Sequence, residues 1–274
     1  MICVETVTCH TDNHAFLVSR AASSVPPEAS SPDACAGVVV VDACQTGPIL
    51  QALGGRSVCA VLSTHHHPDH VGANQDLADR FPGLPIYALG DQVPGQTHRI
   101  SDGQVLSLLH THAIVMQVPG HTHDSVAFHF KEAELVFTGD TLFPAGCGRL
   151  FEGTPHQMLH SLRRLAALPP QTVIWSGHAY TKANLRFAKT IEPDNEALLQ
   201  REQFFSVQRR PGEPSTVALE QATNPFLRTD QPSVRAAASR LPPGPWTDPD
   251  QAEAPDALSP VQVFSRLRWA RNQA

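Results

Sequence analysis

The segment 65–70, with the sequence HHHPDH, limits the possible folds of this chain more than any other feature. It directly follows the apolar segment 57–63, which is predicted to be a strand. In extended backbone, residues i and i+2 point to the same side, so His65 and His67 can bind one cation while the histidine between them points away. A turn at the proline would present the last two residues of the segment to a neighbouring position. Imidazole with carboxylate suits zinc, iron or manganese rather than calcium or magnesium.

Three more residues of metal-ligand type follow other predicted strands, each close to a glycine: His121, Asp140 and His178. One six-residue loop cannot complete two coordination shells, so additional ligands have to come from elsewhere in the chain. Strand ends that converge would supply them. The candidate metal ligands are therefore His65, His67, Asp69, His70, His121, Asp140 and His178.

The 274 residues suffice for one large domain or two smaller ones. Short strands dominate the first half, for example at 2–9, 15–19 and 37–42, and the Ser-, Pro- and Ala-rich segment 21–36 is predicted to be a hairpin loop. The segment 172–176 is predicted to be the last strand, because helical patterns and proline-rich connectors follow it.

Helices are predicted to begin at Thr154-Pro155 and Ser259-Pro260, where a capping residue precedes a proline, and another is predicted between Asp194 and Gln208. The change in pattern predicts a domain boundary near residue 178, with an α/β domain at 1–178 and a helical domain at 179–274.

The composition excludes some classes of partner. A net charge of −6 argues against nucleic-acid binding, which needs a basic face. No stretch approaches the ~18 apolar residues of a membrane span, and the first residues lack the features of a signal peptide. The six cysteines contain no CxxC pair and are predicted to be free thiols, which favours a cytoplasmic location.

The order HxHxDH, then His, Asp and His, resembles the metallo-β-lactamase superfamily. That resemblance implies a four-layer αβ/βα sandwich with a two-metal site at one edge. It implies two divalent ions, with zinc as the first choice and iron or manganese as alternatives. By the same resemblance, one metal would bind His65, His67 and His121, and the other would bind Asp69, His70 and His178. Asp140 would bridge both metals.

Two such ions share a water and lower its pKa, so that a metal-bridged hydroxide can attack a carbonyl. The resemblance makes Asp69 and Asp140, as metal ligands, the candidate catalytic residues. A nucleophilic side chain such as Cys147 is not needed. Thioesters suit this chemistry, because a thiolate leaves without being protonated first.

Other segments resemble glyoxalase II, a family of hydroxyacylglutathione thioesterases. They are 145–154 (AGCGRLFEGT), 178–188, 214–216 and 224–228. The resemblance implies hydrolysis of S-(2-hydroxyacyl)glutathione, such as S-D-lactoylglutathione, to glutathione and a 2-hydroxy acid, D-lactate. It also implies a monomer.

The same resemblance implies which residues bind glutathione. Arg149 matches a basic residue of the family, Tyr180 an aromatic hydroxyl, and Arg268 and Arg271 two basic residues on the last helix. Arginine can bind a carboxylate through two parallel hydrogen bonds. Packing of Tyr180 and the helix dipole acting on the two helical arginines are the alternative interpretations. Phe151 stands where the family usually has tyrosine, so one hydroxyl contact is absent.

The segment 121–125 (HTHDS) departs from the family pattern His-Thr-x-Gly-His, since Asp124 and Ser125 replace the glycine and the second histidine. We expect this change to alter hydrogen bonds around the metal ligands. The sequence leaves two alternative functions open. One is a glutathione persulfide dioxygenase with a single iron bound by His65, His121 and Asp140, and the other is a different hydrolase of the same fold.

Overall fold

A computed structural model describes residues 1–21, 37–208, 214–246 and 258–274. The predicted hairpin loop at 21–36 lies outside these ranges except for Ala21. Parts of the predicted proline-rich connectors at 210–215 and 241–254 also lie outside them.

The first sheet has six strands that lie side by side in chain order. They are β1 to β6, at Ile2–Cys9, Asn13–Arg20, Val38–Val41, Val58–Leu62, Ile86–Ala88 and His98–Arg99. The pairs β1/β2 and β2/β3 are antiparallel, whereas β3 to β6 run parallel. Because β3 and β4 are parallel, their carboxyl ends meet at one edge, where ligands bind in many parallel sheets.

The second sheet begins as an antiparallel meander. Its strands β7 to β10 lie at Val105–Leu108, Thr111–Gln117, Val126–Phe130 and Leu135–Gly139, and a 3-10 turn at Lys131–Ala133 joins the last two. Strand β13 (Val173–Ser176) follows β10 in the sheet, and β14 (Ser215–Thr216) pairs with β13. Strands β11 (Leu142–Phe143) and β12 (Gly146–Cys147) form a separate pair.

In the described ranges, helices occur between the strands of the first sheet and from Pro155 onward. They are α1 to α9, at Thr46–Leu53, Pro68–Val71, Asn74–Arg80, Pro155–Ala166, Thr181–Ile191, Glu196–Gln208, Val217–Thr223, Pro232–Ser239 and Pro260–Gln273. The α/β class is confirmed. In the core of the first sheet, Val40 and Val61 belong to one buried cluster with Ile49 of α1 and Leu77 of α3.

The two predicted capped helix starts are confirmed. Thr154 accepts a hydrogen bond from the backbone of Gln157, whose side chain accepts one from the backbone of Thr154. Ser259 and Gln262 form the same reciprocal capping box at the start of α9. Each box satisfies two of the backbone N–H groups that a helix leaves unbonded at its start.

Residues 172–176 were predicted to be the last strand, and this prediction is wrong. Ser215 and Thr216 form β14, whose partners in β13 are Ile174 and Val173. A two-residue strand is too short to show an alternating pattern, so pairing with an existing strand creates it.

The chain packs as two compact units that alternate along the sequence. The first comprises 1–117, 124–139 and 175–179, and the second comprises 118–123, 140–174 and 180–274. The first unit holds the first sheet and β7 to β10, and the second holds α4 to α9. A functional boundary near residue 178 stays a prediction. No helix in the described part of the chain is long and apolar enough to cross a membrane.

The prediction that all cysteines are free thiols is wrong. Cys9, at the end of β1, and Cys44, just before α1, form a disulfide bond, and Cys59 is disulfide-bonded as well. Cys9 and Cys44 are 35 positions apart, so only folding brings their sulfur atoms together. Among the described residues, the free cysteines are Cys3, which is exposed, and Cys147, which is buried.

Cys147 is expected to resist alkylation in the native protein while Cys3 reacts. Burial raises the pKa of the Cys147 thiol to about 11, so almost no reactive thiolate exists at neutral pH. Peptide mapping after treatment with iodoacetamide at pH 8 measures both sites, and the same treatment in urea is the control in which both should react. Equal labelling of the two cysteines in native protein would contradict this expectation.

Candidate metal centre and cationic cluster

The histidine-rich segment begins immediately beyond β4, at the carboxyl edge of the parallel strands. Thr64 is buried and donates from its backbone N–H and its hydroxyl to the carboxylate of Asp42, each at 2.8 Å. Asp42 itself directly follows β3. His65 Nε2 lies 3.1 Å from His67 Nδ1, so these two predicted ligands do face each other. The short helix α2 then starts, and it carries Asp69 and His70 in its first turn.

Asp69, His70 and His178 form a group in which one ligand atom from each lies within 4.8 Å of the others. Asp69 Oδ2 is 3.8 Å from His70 Nε2 and 3.5 Å from His178 Nε2. Two imidazoles and a carboxylate at this spacing fit a divalent transition metal. Burial works to raise the pKa of Asp69, but a hydrogen bond from Asn13 and electrostatic interactions with His70 and His178 lower it below its ordinary value.

Residues that were not predicted orient these three side chains. Asp42 accepts a hydrogen bond from His70 Nδ1 at 3.0 Å, and Asp12 accepts one from His178 Nδ1 at 3.0 Å. Because a carboxylate only accepts, Nδ1 of each ring carries the proton and Nε2 is available to a metal. Asn13 donates to Asp69 Oδ2 at 2.8 Å. The sequence contained a possible signal for the role of Asp42, because this carboxylate directly follows the buried run VVVV. It contained no such signal for Asp12, which lies in a turn.

His121 and Asp140 belong to the second unit, where they lie side by side. His121 Nε2 is 3.5 Å from Asp140 Oδ2, and both side chains are buried. His121 Nδ1 donates to the backbone carbonyl of Arg149 at 2.9 Å, which again leaves Nε2 as the possible ligand atom. Gly148 packs against them so tightly that a Cβ there would overlap the carbonyl oxygen of Asp140. The segment that contains Arg149 therefore also orients His121.

The predicted glutathione-binding residues all lie in the second unit, but their exposure differs. Arg149, Phe151 and Tyr180 are exposed, and Phe151 packs edge-on against the ring of His121. Arg271 is half-buried, whereas Arg268 is only 4% exposed.

Arg268 is occupied by contacts within the protein. Its Nη1 donates to the carbonyl of Cys147 at 2.6 Å, and its guanidinium lies 5.4 Å from the centre of the Phe226 ring. Arg268 thus supports the segment that leads to Arg149. Burial lowers its pKa, and the nearby charge of Arg149 adds to that effect.

Arg271 is the arginine of α9 that combines partial exposure with a defined orientation. Its Nε and Nη2 both donate to Asn184 Oδ1 at 3.3 Å, while Asn184 Nδ2 donates to the carbonyl of Pro144. Burial lowers the pKa of Arg271, and so do the charges of Arg268 and Arg149. Arg268 and Arg271 are three positions apart on α9, and Arg268 is bonded to the carbonyl of Cys147, two residues before Arg149. The three guanidinium groups therefore form a cationic cluster suited to an anion.

The fold and the histidine- and aspartate-rich groups define the class of this protein. The model of the metallo-beta-lactamase superfamily matches residues 36–178. Among solved structures, the ETHE1 protein from Myxococcus xanthus superposes with a TM-score of 0.60 at 21% identity, over 82% of this chain and 84% of that one. A protein named TTHA1623, in a di-iron-bound form, gives a TM-score of 0.57 at 26% identity, over 81% of this chain and 98% of that one. This fold and its metal-binding groups imply divalent metal ions.

The particular family follows from the last third of the chain and from its relatives. Residues 179–274 match the model described as the hydroxyacylglutathione hydrolase C-terminus. A hydroxyacylglutathione hydrolase from Gloeobacter violaceus is 45% identical over 249 residues, which covers 88% of this chain and 92% of that protein. One from Fuscovulum blasticum is 44% identical over 239 residues, with coverage of 85% and 89%. The chain belongs to the hydroxyacylglutathione hydrolase family, whose members are metal-dependent hydrolases.

Proposed function

We propose that this enzyme hydrolyses the thioester of S-(2-hydroxyacyl)glutathione, including S-D-lactoylglutathione, to glutathione and a 2-hydroxy acid such as D-lactate. The observation that carries the proposal is the cationic cluster of Arg149, Arg268 and Arg271, of which Arg268 and Arg271 lie within the segment 179–274 that matches the family model. Glutathione has two carboxylates, so a cationic surface with a well-oriented arginine suits it.

We propose the ligand assignment that the family pattern implies. His65, His67 and His121 would hold one metal, Asp69, His70 and His178 the other, and Asp140 would bridge them. When bound, two divalent cations would activate water and polarise the thioester carbonyl. The carboxylates of Asp12 and Asp42 would keep the Nε2 atoms of His178 and His70 directed to the metal.

The identity of the metals is also a proposal. Zinc is the first choice for imidazole and carboxylate ligands, and iron or manganese would fit the same donors. The di-iron form of TTHA1623 supports testing iron. Elemental analysis of the purified protein measures both the identity and the number of metals per chain.

Release of free thiol from S-D-lactoylglutathione by the purified, metal-analysed protein tests the proposed reaction. Chelator-sensitive turnover with about two metals per chain is the expected result. Absence of turnover by folded, metal-loaded protein would contradict the proposed substrate. The dioxygenase alternative predicts oxygen uptake with glutathione persulfide instead, and the family assignment does not favour it.

Replacing Arg271 with alanine is expected to raise KM about 10-fold and to leave kcat nearly unchanged. The arginine would contact the distant glutathione part of the substrate equally in the ground state and the transition state. Steady-state kinetics with S-D-lactoylglutathione measure both constants, and Arg163→Ala is the matched control, because this exposed arginine of the same unit lies on α4 and pairs with Asp230. A fall in kcat with an unchanged KM would contradict this role.

A monomer in the cytoplasm remains part of the proposal, with glutathione thioesters as its partners and neither nucleic acid nor membrane. The prediction of a cytoplasmic location relied on free cysteines. The disulfide between Cys9 and Cys44 removes that support, since such bonds are rare in reducing compartments. Light scattering tests the monomer. Peptide mapping of protein trapped with alkylating reagent in cells tests whether the bond forms there.

A further inference from the structure

His66, the central histidine of the segment 65–70, forms a close pair with Asp124. His66 Nδ1 lies 2.8 Å from Asp124 Oδ1, and the side chains are only 19% and 13% exposed. Because a carboxylate only accepts, the imidazole is the donor. Both residues belong to the first unit.

Asp124 is also confined by its other neighbours. A Cβ at Gly90, just beyond β5, would overlap the carboxylate of Asp124, so the backbone of Gly90 packs directly against that side chain. Two residues after Asp124, the backbone N–H of Val126 donates to the carbonyl of Thr64 at 2.8 Å. The segment 124–126 is therefore tied to 64–66 by one backbone bond and one side-chain bond.

These two bonds hold Thr64 and His66, the residues on either side of His65 in the chain. The rings of His66 and His67 meet edge-on with centroids 5.2 Å apart, and His65 Nε2 is 3.1 Å from His67 Nδ1. Because His66 lies between the two, holding its ring restricts the backbone that carries both neighbours. A pair of ligands ordered in advance loses less conformational freedom when a cation binds.

We propose that Asp124 is a positioning residue that fixes His66 and thereby holds His65 and His67 ready to bind metal. The inference depends on the proposed ligand assignment. Asp124 stands where the family pattern has glycine, which has no side chain to make this bond.

The test is a double-mutant cycle with Asp124→Ala, His66→Ala and the variant that carries both changes. The dissociation constant for Zn²⁺ is measured by competition with a chromogenic chelator. We expect Asp124→Ala to weaken binding roughly 10-fold, in the range found for residues that orient metal ligands. The double variant should bind no more weakly than the weaker single variant, because both changes remove the same interaction. Additive losses, or a constant within twofold of the wild type, would overturn the proposal.

Two further measurements separate positioning from general stability. Asp124→Asn keeps an acceptor for His66 and should restore most of the lost affinity. The visible spectrum of the Co²⁺-loaded protein should shift in Asp124→Ala, while the melting temperature of the metal-free protein stays within a few degrees of wild type. A lower melting temperature with an unchanged dissociation constant and spectrum would assign Asp124 a purely structural role.

Metal binding by the wild-type protein separates failure of the proposed ligand assignment from failure of the positioning role. If it binds no metal, the proposed ligand assignment fails, and the role of Asp124 fails with it. If it binds metal and the Asp124 variants bind equally well, only the positioning role fails.

Discussion

Replacement of His67 with alanine is expected to remove about one metal per chain and to lower kcat/KM on the order of 10³-fold, or roughly 4 kcal/mol. His67 Nδ1 lies 3.1 Å from His65 Nε2, so the change would remove half of a closely spaced ligand pair. Elemental analysis and thiol release measure the two effects. Because His67 is partly exposed at the edge of the sheet, its loss should affect metal binding more than folding.

The matched control for this prediction is His160→Ala, at an exposed histidine on α4 that is not among the proposed ligands. It should keep the metal content and the activity of the wild type. Full metal content and full activity in His67→Ala would contradict the ligand assignment. Loss of metal with the melting temperature of the metal-free protein unchanged would support it.

Asp42→Ala is expected to lower the free energy of unfolding by about 3–5 kcal/mol, even in metal-free protein. Asp42 is 1% exposed, and its carboxylate accepts hydrogen bonds from the backbone and hydroxyl of Thr64 and from His70 Nδ1. Alanine would leave three buried donors without this acceptor. It would also have to adopt the backbone φ of 53° found at Asp42, which aspartate and asparagine tolerate better.

For a chain of this length, that loss corresponds to a decrease in melting temperature of roughly 10 °C. Calorimetry of the metal-free protein measures it, and metal titration should show Zn²⁺ binding weakened roughly 10- to 100-fold, because His70 would lose its orienting partner. Asp42→Asn is the control, since it keeps an acceptor and the tolerance for positive φ, and it should lose much less stability. Equal melting temperatures for Asp42→Ala and the wild type would show that Asp42 does not support the fold.

The sequence by itself determined the features that depend on local pattern. The apolar run at Val38–Val41, the capped helix starts at Thr154 and Ser259, and the HxHxDH segment were all readable from neighbouring residues. Local propensity and capping act within a few positions, so a pattern of a few residues contains that information. The family resemblance then connected segments that no local pattern joins.

Only the tertiary structure decided which distant residues support the site. Asp12 and His178 are 166 positions apart, and Arg268 and Cys147 are 121 apart, so no spacing rule could pair them. Folding also bonded Cys9 to Cys44, buried Arg268 while leaving Arg271 half-exposed, and divided the chain into alternating units. The physical reason is that hydrogen bonds, burial and disulfides depend on distance in space, which the chain sets only when its strands and helices pack.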